Sequence, residues 1–318
     1  MATIERNPGM ALDLGWVNEA HVNRSAVERR TASLTARRSI KKEWQAAWLL
    51  KAVTMIDLTT LAGDDTPGKV HRMCAKARQP IRTEILNALG FDEPEYYVAA
   101  VCVYHERIAD ALDALNGADI PIAAVSTGFP AGQSPFKQRL EEIGESVAAG
   151  AREIDIVISR EHVLTGDWQA LYDEVRLFRE ACGDAHLKTI LATGELGTLT
   201  NVLRASYVCM MAGADFIKTS TGKETVNATL EFGLVMTRAI RDYHQRAGHK
   251  VGFKPAGGIR TAKDALVWLV LIKEELGDDW LTADLFRFGA SSLLDDIERQ
   301  LSHAATGRYA ARHHIAMG

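Results

Sequence analysis

Apolar and polar positions alternate on two scales along this chain. From about residue 51 onward, short runs dense in valine, isoleucine, alanine and phenylalanine recur, each followed by a longer stretch with helical apolar spacing. Eight runs stand out: 52–57 (Ala-Val-Thr-Met-Ile-Asp), 97–103 (Tyr-Val-Ala-Ala-Val-Cys-Val), 121–126 (Pro-Ile-Ala-Ala-Val-Ser), 153–158 (Glu-Ile-Asp-Ile-Val-Ile), 187–192, 215–219, 251–255 and 285–288. Such alternation is how a parallel sheet with crossover helices is written, and eight repeats predict an α/β fold, a closed (β/α)₈ TIM barrel. An open doubly wound sheet is the competing arrangement. Two helix starts are legible, Ser134 then Pro135, and Asp65-Thr66 then Pro67, because a capping residue followed by proline suits a first helical turn.

The pattern differs before residue 51. Arg29-Arg30, Arg37-Arg38 and Lys41-Lys42 alternate with short apolar groups ahead of Trp44-Gln-Ala-Ala-Trp-Leu-Leu, which predicts an N-terminal helical extension over residues 1–50 packed on the barrel. No Pro/Gly/Ser-rich linker divides the remainder of the chain. The expected organisation is therefore one barrel domain over 51–302 and a short tail over 303–318.

Composition narrows the function. A chain of 318 residues, 47% hydrophobic and 25% charged, has the make-up of a globular enzyme with a large core. A formal net charge of -4 supplies no basic field for nucleic acid. The first residues lack a signal-like segment and no apolar run approaches a membrane span, so no membrane partner and a cytoplasmic location are expected. Cys74, Cys102, Cys182 and Cys209 have no CxxC spacing and read as reduced core thiols. Ten histidines include one adjacent pair, His313-His314, and no HExxH spacing, so neither a metal nor another cofactor is expected.

In a barrel of this kind, chemistry projects from the C-terminal ends of the strands. That rule brings Asp57, Thr59, Cys102, Asp155, Lys218 and Lys254 toward one mouth. An ordinary lysine, of pKa about 10.4, is only about 0.04% neutral at pH 7; reaching a pKa near 7 takes about 4.5 kcal/mol of bias against the charged form. Burial and a second cation supply such bias, and the resulting amine can form a Schiff base with a carbonyl. The plainer alternative is that both lysines snorkel to solvent or pair with acids. Asp155, between Ile154 and Ile156, needs a partner if buried, and a mouth lysine is the economical one, either for function or as a structural salt bridge. Cys102 reads as a packing thiol.

Three loops share a second chemistry: Thr219-Ser220-Thr221-Gly222-Lys223, Ala256-Gly257-Gly258 and Gly289-Ala290-Ser291-Ser292. Glycines let backbone N–H groups approach an anion, hydroxyls add donors, and a helix beginning near Ser292 offers its positive end. The combination predicts a phosphate cradle after the last three strands.

At these residues the chain resembles the deoxyribose-phosphate aldolase family, over about residues 40 to 302. The likeness runs through Ile56-Asp-Leu-Thr-Thr-Leu, Ala100-Val-Cys-Val-Tyr, Gly128-Phe-Pro-Ala-Gly, Glu153-Ile-Asp-Ile-Val, Phe216-Ile-Lys-Thr-Ser-Thr-Gly-Lys, Gly252-Phe-Lys-Pro-Ala-Gly-Gly-Ile-Arg and Phe288-Gly-Ala-Ser-Ser. The N-terminal layer is similar to the longer branch of that family. The resemblance implies a class I lyase that splits 2-deoxy-D-ribose 5-phosphate into acetaldehyde and D-glyceraldehyde 3-phosphate, with Lys218 as Schiff-base residue and Lys254 and Asp155 as proton-transfer groups. The substrate-binding set expected around them is Asp57, Thr59, Cys102, Thr221, Gly222, Lys223, Gly257, Gly258, Ser291 and Ser292. The expected partners are a sugar phosphate and small aldehydes, with a homo-oligomer left open. Two departures concern the second loop and the tail: His105 follows Tyr104 where many relatives have proline, and the chain ends Ala316-Met-Gly rather than in tyrosine, Tyr309 being the nearest. Another Schiff-base sugar-phosphate aldolase, an isomerase and a silent phosphate-binding barrel are the rival readings.

Overall fold

The eight β-rich runs form eight parallel strands, β1 (Ile56–Thr59), β2 (Ala100–Tyr104), β3 (Ile122–Ser126), β4 (Glu153–Val157), β5 (His186–Ile190), β6 (Phe216–Lys218), β7 (Gly252–Lys254) and β8 (Phe288–Ala290). The computed structural model describes residues 6–37, 39–41, 43–93 and 95–315; Arg38 and Lys42 of the basic N-terminal layer, and the terminal Ala316-Met-Gly, lie outside the described residues. Neighbours in the sheet follow chain order from β1 to β7, with β8 beside β1. The ring closes through hydrogen bonds just outside the regular ladders, Phe253 N–H to the Leu285 carbonyl at 2.9 Å and Gly289 N–H to the Pro255 carbonyl at 2.9 Å. The fold is the expected barrel and not an open sheet.

Helices α1 (Leu14–Glu19), α2 (Arg24–Arg37) and α3 (Glu43–Val53) precede the barrel. Around it run α4 (Pro67–Arg78) and α5 (Thr83–Ala88) after β1, α6 (Ile108–Leu115) after β2, α7 (Phe136–Ala148) after β3, and α8 (Arg160–Thr165) and α9 (Trp168–Ala181) after β4. Then come α10 (Leu199–Met211), α11 (Leu230–Ala247), α12 (Ala262–Glu275) and α13 (Leu293–Thr306), one after each remaining strand. Thr66 caps α4 through its side chain with Pro67 in the first turn, as its sequence predicts. At α7 the expected start is displaced by one residue: Pro135 occupies the cap position and Ser134 makes no cap. The N-terminal layer is tied down by Arg30, which meets Glu274 at 2.6 Å and Glu275 at 3.0 Å at the end of α12.

Strand alternation sorts residues into two apolar clusters. Ile56, Leu58, Val101, Val103, Ile154 and Ile156 face outward into the main core between sheet and helices. Cys102, Ala123, Val125, Phe129, Val157 and Ile190 form a smaller cluster inside the barrel. The four described cysteines are buried and unpaired, and burial pushes the Cys182 and Cys209 thiols up to about 12.

Three strands depart most from expectation, the other five keeping their expected bounds to within two residues at either end. Ala52 and Val53 finish α3, because the amphipathic helix that begins at Glu43 carries its apolar face through them, and the strand starts only at Ile56. The second strand is shorter, since the ladder begins at Ala100. The last is displaced to 288–290, while residues 285 and 287 serve the β7 edge as single hydrogen-bond partners.

Candidate active site

The ladder between β6 and β7 sets Lys218 beside Lys254, and that between β4 and β5 sets Asp155 beside Lys188. Positions two apart along a strand face the same way, so Glu153 lies directly below Asp155 on the inner face. Asp155 Oδ2 accepts from Lys218 Nζ at 2.7 Å and from Lys254 Nζ at 2.7 Å. Its other oxygen, Oδ1, has no hydrogen bond and stands 3.3 Å from Lys188 Nζ. All three groups of the upper layer are buried, Lys218 being 3% exposed and Asp155 and Lys254 fully enclosed.

A second ionic layer supports the first. Asp57 receives Lys254 at 2.5 Å and Lys188 at 3.2 Å on Oδ2, and Arg287 at 2.6 Å on Oδ1. Glu153 pairs with Lys188 and, at 2.9 Å, with Arg287. The Phe216 ring lies beside both cations, 5.8 Å from Lys188 Nζ and 5.8 Å from the Arg287 guanidinium. Gly252 makes room for that ring, since a Cβ there would stand 2.3 Å from it. Where barrels are ordinarily filled by branched aliphatic side chains, this one encloses Lys188, Lys218, Lys254 and Arg287 against Asp57, Glu153 and Asp155.

Fully ionised, four cations and three anions would leave one positive charge in excess in a water-poor interior. Losing one proton is the natural relief. The pKa directions single out which group gives it up. Burial drives the Lys218 ammonium down, and neighbouring Lys254 adds to the effect against the opposing pull of Asp155. At Lys254 burial also works downward, but Asp155 and Asp57 outweigh it and hold the group protonated. Lys188 and Arg287 are held charged in the same way by their acids. At Asp155 burial pushes upward, but Lys188, Lys218 and Lys254 prevail and keep it a carboxylate.

Lys218 opens onto a cavity of about 380 Å³ at the C-terminal mouth of the barrel. Thr59, Thr221, Gly222, Lys223, Gly257, Gly258, Ser291 and Ser292 line it, so the three loops expected to cradle a phosphate do converge. Gly257 has φ +81° and sits so close to Asn227 that a Cβ would approach that side chain to 2.7 Å, which explains the requirement for glycine. Ser292 precedes α13 without capping it, leaving the helix N-terminus unengaged by that hydroxyl at the cavity wall. Thr221 is fixed by Glu224, which accepts from its N–H at 3.0 Å and its hydroxyl at 2.7 Å.

Asp57, Asp155, Lys254 and Cys102 are buried behind this cavity and do not line it. Asp57, expected to contact substrate, instead has both oxygens engaged by cations. Cys102 is 1% exposed, and burial pushes its thiol up. Lys188, Glu153 and Arg287 are not among the expected site residues, although a signal for them exists: charged residues at i and i+2 in an apolar strand run, as in Glu153-Ile-Asp155, must share an inner face. Lys69 and Arg260 also line the cavity. Among the described residues no group of three or more His, Cys, Asp or Glu is arranged to hold a metal ion.

Residues 51–298 match the family model described as DeoC/LacD family aldolase. The chain belongs to the DeoC/LacD aldolase family. Among its relatives in that family, the deoxyribose-phosphate aldolase of Mus musculus is 65% identical over 311 residues, covering 97% of this chain and 98% of the relative. The Homo sapiens deoxyribose-phosphate aldolase is 63% identical over 313 residues, covering 98% of each. Among solved structures, the deoxyribose phosphate aldolase of Aeropyrum pernix, described as a tetramer, shares the fold with a TM-score of 0.59 at 23% identity, over 86% of this chain and 98% of that one. No described helix of this DeoC/LacD aldolase is long and apolar enough to cross a membrane.

Proposed function

We propose that this aldolase reversibly cleaves 2-deoxy-D-ribose 5-phosphate to acetaldehyde and D-glyceraldehyde 3-phosphate through a Schiff base on Lys218, and so serves the breakdown of deoxynucleosides. The observation that carries the reading is that Lys218 is driven toward the neutral amine while opening onto a cavity ringed by glycine and hydroxyl loops. Deoxyribose-phosphate aldolases at 63–65% identity over nearly the whole chain support the substrate.

The neutral Lys218 amine attacks C1 of the open-chain sugar, giving a carbinolamine that loses water to an iminium. A base removes the C3 hydroxyl proton, the C2–C3 bond breaks, and its electrons enter the iminium to leave an enamine. Glyceraldehyde 3-phosphate departs; protonation of the enamine at C2 and hydrolysis then release acetaldehyde and restore the amine.

Asp155 and Lys254 are the proton-transfer groups of this scheme. The iminium places a fixed positive charge where the neutral amine stood, close to the Asp155 oxygen that Lys254 shares. That added repulsion weakens the hold on the Lys254 proton, so a group held charged at rest becomes a donor once the imine forms. The phosphate, gripped by Gly222, Lys223, Gly257, Gly258, Ser291 and Ser292, lies remote from the breaking bond, and its binding energy orients C1 toward the amine. The four unpaired buried cysteines suit a reducing compartment such as the cytosol.

The test is to supply 2-deoxy-D-ribose 5-phosphate and identify products. Equal amounts of acetaldehyde and glyceraldehyde 3-phosphate are expected, and turnover without acetaldehyde would assign the site to a different sugar-phosphate reaction.

A further inference from the structure

One cation near the mouth belongs neither to the buried cluster nor to the cavity wall. Arg160 opens α8, after β4, and its side chain is 14% exposed. Its guanidinium reaches three other strand-end loops. Nη1 donates to the Ala131 carbonyl at 2.6 Å and Nη2 to the Pro130 carbonyl at 3.2 Å, both after β3. Nε stands 2.5 Å from Glu195 Oε2 after β5, an ion pair out of hydrogen-bonding alignment. Nη2 also lies 3.6 Å from Glu224 Oε1 after β6.

Glu224 connects this hub to the site. Its side chain is 2% exposed, and a carboxylate so enclosed needs a cation. Arg160 is that cation. Glu224 in turn holds Thr221 by N–H and hydroxyl, and the Thr221 hydroxyl accepts from Lys223 N–H at 3.1 Å. The Glu224 carbonyl accepts from Asn227 Nδ2 at 2.8 Å, and Asn227 abuts Gly257 in the neighbouring glycine loop.

We infer that Arg160 is a positioning residue for substrate phosphate: through Glu224 it fixes the backbone of the 221–223 loop, and through Glu224 and Asn227 it fixes the Gly257 loop. The inference rests on the proposed reading of these loops as the phosphate end of the site. Arg160 itself is not among the residues that line the cavity.

The test compares 2-deoxyribose 5-phosphate with unphosphorylated 2-deoxyribose on the full-length enzyme. Arg160→Met should lower the ratio of kcat/KM for phosphorylated over unphosphorylated sugar about tenfold, chiefly through KM, and Arg160→Lys should recover part of it. Arg160→Met with Glu224→Gln should lose no more than the worse single variant, since the two act in series. Equal loss on both sugars, or additive loss in the double variant, would overturn the inference and leave Arg160 a brace of the general fold. A parent enzyme that does not discriminate between the sugars would overturn the phosphate reading itself. If Arg160→Met does not fold, the ratio in Glu224→Gln decides alone, and an unchanged ratio there overturns the proposal.

Discussion

Lys218 and Lys254, side by side on neighbouring strands, donate to the same oxygen of Asp155, each at 2.7 Å, yet their pKa values move in opposite directions. The asymmetry comes from what lies beneath. Lys254 has a second acid, Asp57, at 2.5 Å, whereas Lys218 has Asp155 alone and a cavity beyond it. One carboxylate thus serves a neutral amine poised for attack and an ammonium that keeps it neutral.

Removing the ammonium should disable the chemistry and not the binding. Lys254→Leu should lower kcat by about 100-fold or more, with KM within about threefold. Loss of its repulsion also raises the Lys218 pKa, so the acid limb of the residual pH–rate profile should move to higher pH. A normal kcat with a raised KM would contradict the role given to Lys254.

Ser292, at the cavity wall before α13, tests the phosphate loops. Ser292→Asp sets a negative charge beside the bound anion and should raise KM for the sugar phosphate by tenfold or more, about 1.4 kcal/mol per factor of ten. Steady-state kinetics with the unphosphorylated sugar should show a much smaller change. Unchanged affinity for the phosphorylated substrate would remove that loop from the site.

The lower ionic layer makes a prediction about stability. Arg287→Met leaves Asp57 and Glu153 short of a cation in a fully enclosed place, and the unfolding free energy from urea titration should fall by about 3–5 kcal/mol. A loss under about 1 kcal/mol would mean that the cluster reorganises or admits water.

His105, directly after β2, lies 3.4 Å from Glu142, whose other oxygen accepts from Gly128 N–H at 2.9 Å. The hydrogen bond with Glu142 raises its pKa despite partial burial, with Glu106 and Glu145 adding to the effect. A raised folded-state value means stabilisation present in full below the unfolded value of about 6.5 and lost as pH rises through the folded one. Being 43% exposed, the pair is screened, so it should contribute no more than about 1 kcal/mol. His105→Gln should therefore melt below the parent near pH 5.5 and with it near pH 9. A difference independent of pH would assign the effect to packing.

Much of the barrel is written locally, which is why it is legible in the sequence. Runs such as Glu153-Ile-Asp-Ile-Val carry both strand period and strand-end chemistry, and motif glycines mark loops whose backbone must approach something closely. The features that escape a sequence reading are decided by neighbours distant along the chain. Ala52 and Val53 have strand-like side chains but belong to a helix whose face is set by α12 and α13. Asp57 reads as a mouth residue because the expected strand run, 52–57, ends there, whereas the strand continues to Thr59; its position becomes clear only when Arg287, 230 residues away, is found against it. Arg160 carries no sequence signal, since its partners come from three separate loops.

The central claim is that Lys218 forms the covalent intermediate. It is tested most directly by intact mass after incubation with 2-deoxyribose 5-phosphate and borohydride, for the parent and for Lys218→Arg. A reduced-imine adduct on the parent alone is the predicted result. An adduct persisting in Lys218→Arg, or absent from a parent that demonstrably binds the substrate, would contradict it.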